Sequence, residues 1–191
     1  MVTAALLALL LSAACRAPLP AQEARWRQAR HEGIREMLAP VARASFGGLR
    51  FYPFDERVRF RVMPTPVSPP EPLRLPASDG SIRPAHRVAR VQLRFPGGAA
   101  RLTLFQLDDL AATYPDLLFL PFRDAGAGRE TYGAGRYVEV ERLPGGVVEI
   151  DFNRAHNPDC AYGITAQCPI TPEENTLSFA VEAGEMLPAG H

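Results

Sequence analysis

Between Asp151 and Asn175 the chain reads DFNRAHNPDCAYGITAQCPITPEEN, and this stretch gathers two cysteines, one histidine and four acids. Cys160 and Cys168 admit three chemistries. A disulfide would close a short loop and stabilise the fold by about 2–3 kcal/mol through loop entropy. Thiolates with His156 would offer zinc three ligands, but the spacing is neither that of a finger nor that of a ribbon, and no fourth ligand shows. A nucleophilic Cys160 with His156 as its base would need both on one helix, which Asn157-Pro158 interrupts. The disulfide is the expectation. A Cys160, Cys168, His156 zinc site is the alternative, and no other cofactor is expected.

The carboxylates depend on where the strands point them. In VVEIDFN, Val148, Ile150 and Phe152 share one face while Glu149, Asp151 and Asn153 share the other. That polar face meets water, or forms a ledge if it lines a barrel mouth. Asn157-Pro158-Asp159 is turn chemistry. Thr171-Pro172-Glu173-Glu174 fits a capped helical turn with Thr171 as N-cap and Glu174 reaching back. The chain contains no G-x-S-x-G, no H-E-x-x-H and no phosphate-binding loop.

The opening MVTAALLALLLSAAC is uncharged and apolar, and too short to span a bilayer as a stable helix. It reads as an export signal over residues 1–14. Leu11-Ser12-Ala13-Ala14-Cys15 resembles a bacterial lipobox with Ser12 where Leu or Val is usual, so Cys15 is the expected lipidation site. Cys160 and Cys168 then remain as an even pair in a compartment where disulfides persist.

These residues need elements to position them. Residues 15–46 read as a tether and a helix, with Trp26, Ala29, Ile34, Met37 and Leu38 along one side, Pro40 as the stop and the arginines on solvated faces. Residues 47–187 read as a β-rich domain. RVRFRV alternates as a half-buried strand. MPTPVSPPEPLRLP is too proline-rich for a central strand and reads as an extended surface connection. ARVQLRF and ARLTLFQL flank Pro96-Gly97-Gly98 as one hairpin, and RYVEVER and VVEIDF flank Pro144-Gly145-Gly146 as another. DLLFLPF is a buried strand and TLSFAVE the last one. The fold class is mainly β: an antiparallel β-sandwich or small barrel-like domain with one N-terminal helix.

All 21 basic residues are arginine, balanced by 21 acids, so the composition does not point to nucleic acid. The charge is nonetheless split: residues 1–101 hold sixteen arginines against seven acids, and residues 102–191 five against fourteen. Attraction between the halves within one fold is the simplest consequence.

FRDAGAGRETYGAGRYVEV and the cysteine segment together resemble the domain of unknown function 1684 family. The pattern is similar at Asp124, Gly128, Thr131-Tyr132, Gly135-Arg136, Asp151-Phe152-Asn153, Cys160-Ala161, Cys168-Pro169, Asn175-Thr176-Leu177 and Ala183-Gly184-Glu185. The resemblance implies a bacterial, partly exported protein and lends no activity. Some members look cytosolic and still keep both cysteines, which strengthens the metal alternative a little.

The resulting expectation is a lipid-anchored envelope protein with a binding or interaction domain. Its polar pocket would draw on Arg123, Asp124, Tyr132, Arg136, Asp151, Asn153 and Glu185, with Arg136 paired to Asp151 across the hairpin. The alternative is a hydrolase in which two of Asp124, Asp151 and Glu185 act as acid and base.

Overall fold

Alternating apolar and polar residues fold here into one antiparallel sheet. In the computed structural model, which describes residues 20–164 and 167–188, helix α1 (Ala21–Met37) and the short α2 (Pro40–Ser45) precede the strands. These are β1 (Arg59–Val62), β2 (Thr65–Pro76), β3 (Ile82–Phe95), β4 (Gly98–Leu107), β5 (Leu117–Phe122), β6 (Arg136–Arg142) and β7 (Val148–Asp151), with a one-turn α3 (Asp108–Ala111) after β4. The order is β1-β7-β6-β5-β4-β3-β2, and the sheet curls into a half-barrel. The architecture is mainly β, as expected.

Both expected hairpins form: Phe95 pairs with Gly98 across the first turn, and Arg142 pairs with Val148 across the second. The proline-rich stretch is itself strand β2, at the edge of the sheet, with a register shift between Pro66 and Glu71. An edge strand needs only one row of backbone hydrogen bonds, so prolines are tolerated there.

The concave core follows the strand period. Val91, Leu93, Leu102, Leu104, Leu118, Leu120, Val138, Val140, Val148 and Ile150 form a single buried cluster. Phe152 sits in its centre, edge-on to Phe95 at 4.8 Å and to Phe122 at 5.0 Å. Among the described residues, the opposite face carries a small cluster of Leu75, Ala85 and Leu107, with Phe119 and Leu110 packed against it.

Three local expectations are corrected. TLSFAVE is not a strand: Thr176 makes one isolated bridge to Arg123, and the rest is irregular. Its apolar alternation is real, since Leu177 and Val181 join the core, but the Phe179 carbonyl accepts from the Ala125 N–H and that of Val181 from a side chain described below. Just before it, fully buried Asn175 stands in for backbone, accepting from the Thr103 N–H at 2.8 Å and donating to the Thr103 and Pro121 carbonyls.

The Thr171 turn is a 3-10 turn over Glu173–Asn175 with no side-chain cap. Thr171 instead donates to the Ala134 carbonyl, and Glu174 bonds Arg87 and Thr103.

Helix α1 ends as expected before Pro40, with Leu38 and Ala39 extended. Its apolar side is only partly used, however: Ile34 and Leu38 are buried while Met37 is exposed. Arg27 and Arg30 turn inward onto carboxylates instead of lying on solvated faces.

Candidate functional site

Most residues singled out from the sequence are buried, and they are used as braces. Arg136 is fully buried. Its guanidinium donates to Asp124 Oδ2 at 2.5 Å and to the carbonyls of Val181, Ala183 and Glu185, and it lies over the Phe122 ring. Burial pulls its pKa below the usual arginine value, against the pull of Asp124. Asp124 also accepts from the Gly126 N–H and the Thr131 hydroxyl through Oδ1. One cation thus ties the C-terminal segment to the loop after β5.

The expected Arg136–Asp151 pair does not form. β6 and β7 pair at Glu141 opposite Glu149, which leaves Arg136 near the far end of β6 and aligned with Phe122 of β5. Asp151 instead meets Arg59 at 2.8 Å across β1, and its Oδ1 caps the turn that begins at Phe152. That turn breaks the period-two pattern, so Asn153 is buried beneath Asp55, with which it exchanges two backbone bonds of 2.8 Å. Asp151 and Asn153 are therefore buried braces and not the water-facing surface that the period-two pattern offered.

Glu185 is also fully buried. It accepts from Arg30 Nε at 2.9 Å, the Asn157 N–H at 2.8 Å and the Tyr162 hydroxyl at 2.6 Å. Burial, then Glu185, raises the Tyr162 pKa. Asp124, Asp151 and Glu185 are each held by a different arginine, so they supply no free acid–base pair. Arg123 is exposed and hydrogen-bonds through its backbone to Asn175 and Leu177. Tyr132 lies beside Cys160: burial, then that thiol, raises its pKa.

Cys160 and Cys168 stand side by side as free thiols, the Cys160 N–H donating to Cys168 Sγ at 3.4 Å. Burial pushes the Cys168 thiol up to about 11. His156 does not complete a zinc site with them. Among the described residues no three His, Cys, Asp or Glu side chains converge at metal-ligand spacing. The His156 ring is set edge-on to Tyr137 at 6.1 Å, and its Nδ1 faces the Arg154 carbonyl at 3.3 Å. A carbonyl only accepts, so Nδ1 carries the proton. Burial, then Arg30, lowers the pKa of the ring below 6.5.

His156 opens instead onto a cleft of about 650 Å³ between α1 and the sparsely packed face of β5 and β6. Trp26, Ala29 and Arg30 form the helix wall, with Arg154 over the Trp26 ring at 5.9 Å. Leu117, Glu139 and Glu141 form the sheet wall, and Thr113 to Asp116 close one end. At the other end Glu139 and His156 also line a smaller cavity of about 200 Å³, which reaches Phe119, Tyr137 and Cys168. Of the sequence candidates, only His156 lines the larger cleft. In RYVEVER the period-two pattern does place Tyr137, Glu139 and Glu141 on one face. That α1 covers them, however, is set by tertiary packing and has no local mark in sequence.

A family model for proteins of unknown function, DUF1684, matches residues 44–186. The chain belongs to this family. An uncharacterised protein from gene locus rrnAC0354 of Haloarcula marismortui, solved by solution NMR, is similar at 31% identity and a TM-score of 0.65, covering 89% of this chain and 95% of that one. No curated protein matches the chain. The DUF1684 match includes the sheet wall of the cleft, His156 and Arg154. Trp26, Ala29 and Arg30 on α1 lie upstream of it.

Proposed function

We propose that this DUF1684 protein is a lipid-anchored protein of the cell envelope whose domain binds a small molecule in the cleft between α1 and the β5–β6 face. The observation that carries the binding reading is the cleft itself. Its volume lies in the range of small-molecule sites, and its wall mixes aromatic, apolar and charged side chains. The anchor rests on the signal-like residues 1–14 and the lipobox-like approach to Cys15, which lie outside the described residues. Among those described, no helix is long and apolar enough to cross a membrane. In an oxidising envelope, the adjacent Cys160 and Cys168 would join as a disulfide.

The chain has a single tryptophan, Trp26, and it lines the cleft, so its emission reports occupancy directly. Fragments of positive, negative and zero charge, titrated against the protein, should include at least one that shifts Trp26 emission saturably. Ala29→Phe, which fills the helix wall, should abolish that response without lowering the melting temperature. If no fragment saturates, or Ala29→Phe leaves binding unchanged, the cleft is not the site.

A further inference from the structure

Resting on the reading that this cleft binds a small molecule, we propose that its ligand is an organic cation, an amine or quaternary ammonium on an apolar or aromatic body. The charges of the helix wall are already matched. Arg30 gives Nε to Glu185 at 2.9 Å, Nη1 to Asp159 at 3.3 Å and Nη2 to the Asn157 carbonyl at 2.8 Å. Arg154 lies 3.5 Å from Glu23, itself buried and bonded to Arg27 at 2.7 Å.

The sheet wall has no such balance. Glu139, Glu141 and Asp116 are exposed to the cleft and have no hydrogen-bond or ion-pair partner for their carboxylates among the described residues. Acidic residues on a surface would normally be satisfied by water. Glu139 differs in standing opposite the apolar Phe119, and Glu141 lies between Leu117 of β5 and a second acid, Glu149 of β7.

A second observation is independent of the carboxylates. His156 directs Nδ1 at the Arg154 carbonyl, and donating there leaves Nε2 as the ring's acceptor. The half-buried ring lines both cavities, so this acceptor sits where the two meet. The sheet side of the cleft therefore accepts hydrogen bonds and attracts positive charge. Tyr114 adds an aromatic face of the kind that holds ammonium groups. An anion would meet unmatched negative charge, and a neutral ligand would leave that charge unanswered.

The test uses phenethylamine with its shape-matched neutral and anionic counterparts, 2-phenylethanol and 3-phenylpropanoate, titrated near neutral pH against Trp26 emission. The amine should bind saturably, and Glu139→Gln with Glu141→Gln should weaken it about tenfold at unchanged melting temperature. The alcohol and the acid should bind at least tenfold more weakly than the amine. If either counterpart matches the amine, or the double variant binds the amine normally, the cation assignment is wrong while the cleft remains a site. If none of the three binds, the cation assignment also fails. The fragment titration with Ala29→Phe then decides separately whether the cleft binds anything.

Discussion

At the scale of single residues, burial decides what each charge is for. Arg136 and Asp124 have no water to fall back on, so removing one charge strands the other. Asp124→Asn should cost about 3–5 kcal/mol in urea unfolding, seen as a lower midpoint at unchanged slope. Asp151→Asn should cost no more than about 1 kcal/mol, because its partner Arg59 is 38% exposed. Equal losses for the two would contradict the ranking. His156 makes a pH prediction. Its folded pKa lies below 6.5, so between the two values the unfolded chain binds more protons and stability falls as pH drops. Unfolding measured at about pH 7.5 and about pH 5.5 should show this loss, and His156→Gln should reduce it. Sequence had marked Asp124, Arg136, Asp151, Asn153 and Glu185 as unusual polar positions, and all five are buried. Their partners were illegible because each is set by tertiary packing: Arg30 and Glu185, for instance, are 155 residues apart.

At the scale of elements, what was local was legible. Turn residues and alternation located both hairpins, and Pro40 located the end of α1. The segment after Asn175 misled because its alternation is that of a strand, while its backbone is met by scattered bonds to Arg123 and Ala125 and by the Arg136 guanidinium, reached through the fold. Gly184 shows how tightly that segment is held. Its φ is +74°, and an added Cβ would press on the carbonyls of Ala155 and Phe152. Gly184→Ala should therefore cost about 2–4 kcal/mol through strain and crowding, lowering the melting temperature by roughly 5–10 °C. A change within a degree would mean the segment yields easily. The cysteine loop gives a second test at this scale. In protein isolated from the envelope, thiol counting after denaturation without reductant should find neither Cys160 nor Cys168 free. Two free thiols would rule the disulfide out.

At the scale of the whole molecule, the split in charge becomes a set of bridges. Arg30, Arg59, Arg61, Arg83 and Arg87 of the basic half all reach carboxylates of the acidic half. Most of these are partly exposed and orient more than they stabilise. The anchor is tested here too: Cys15→Ala should move the protein from the membrane fraction to the soluble one, and retention on membranes would refute lipidation. The Arg136 brace also bears on how the chain comes to be folded. Its carbonyl acceptors lie on residues 181–185, and the same stretch carries the Glu185 that receives Arg30 from α1. Until those residues have been synthesised, Arg136 has Asp124 but none of its carbonyl acceptors, and Arg30 lacks Glu185, so the partial chain gains less from closing its sheet. Under the export proposed above, such a delay would be useful. A nascent polypeptide that cannot settle early stays thin enough to thread.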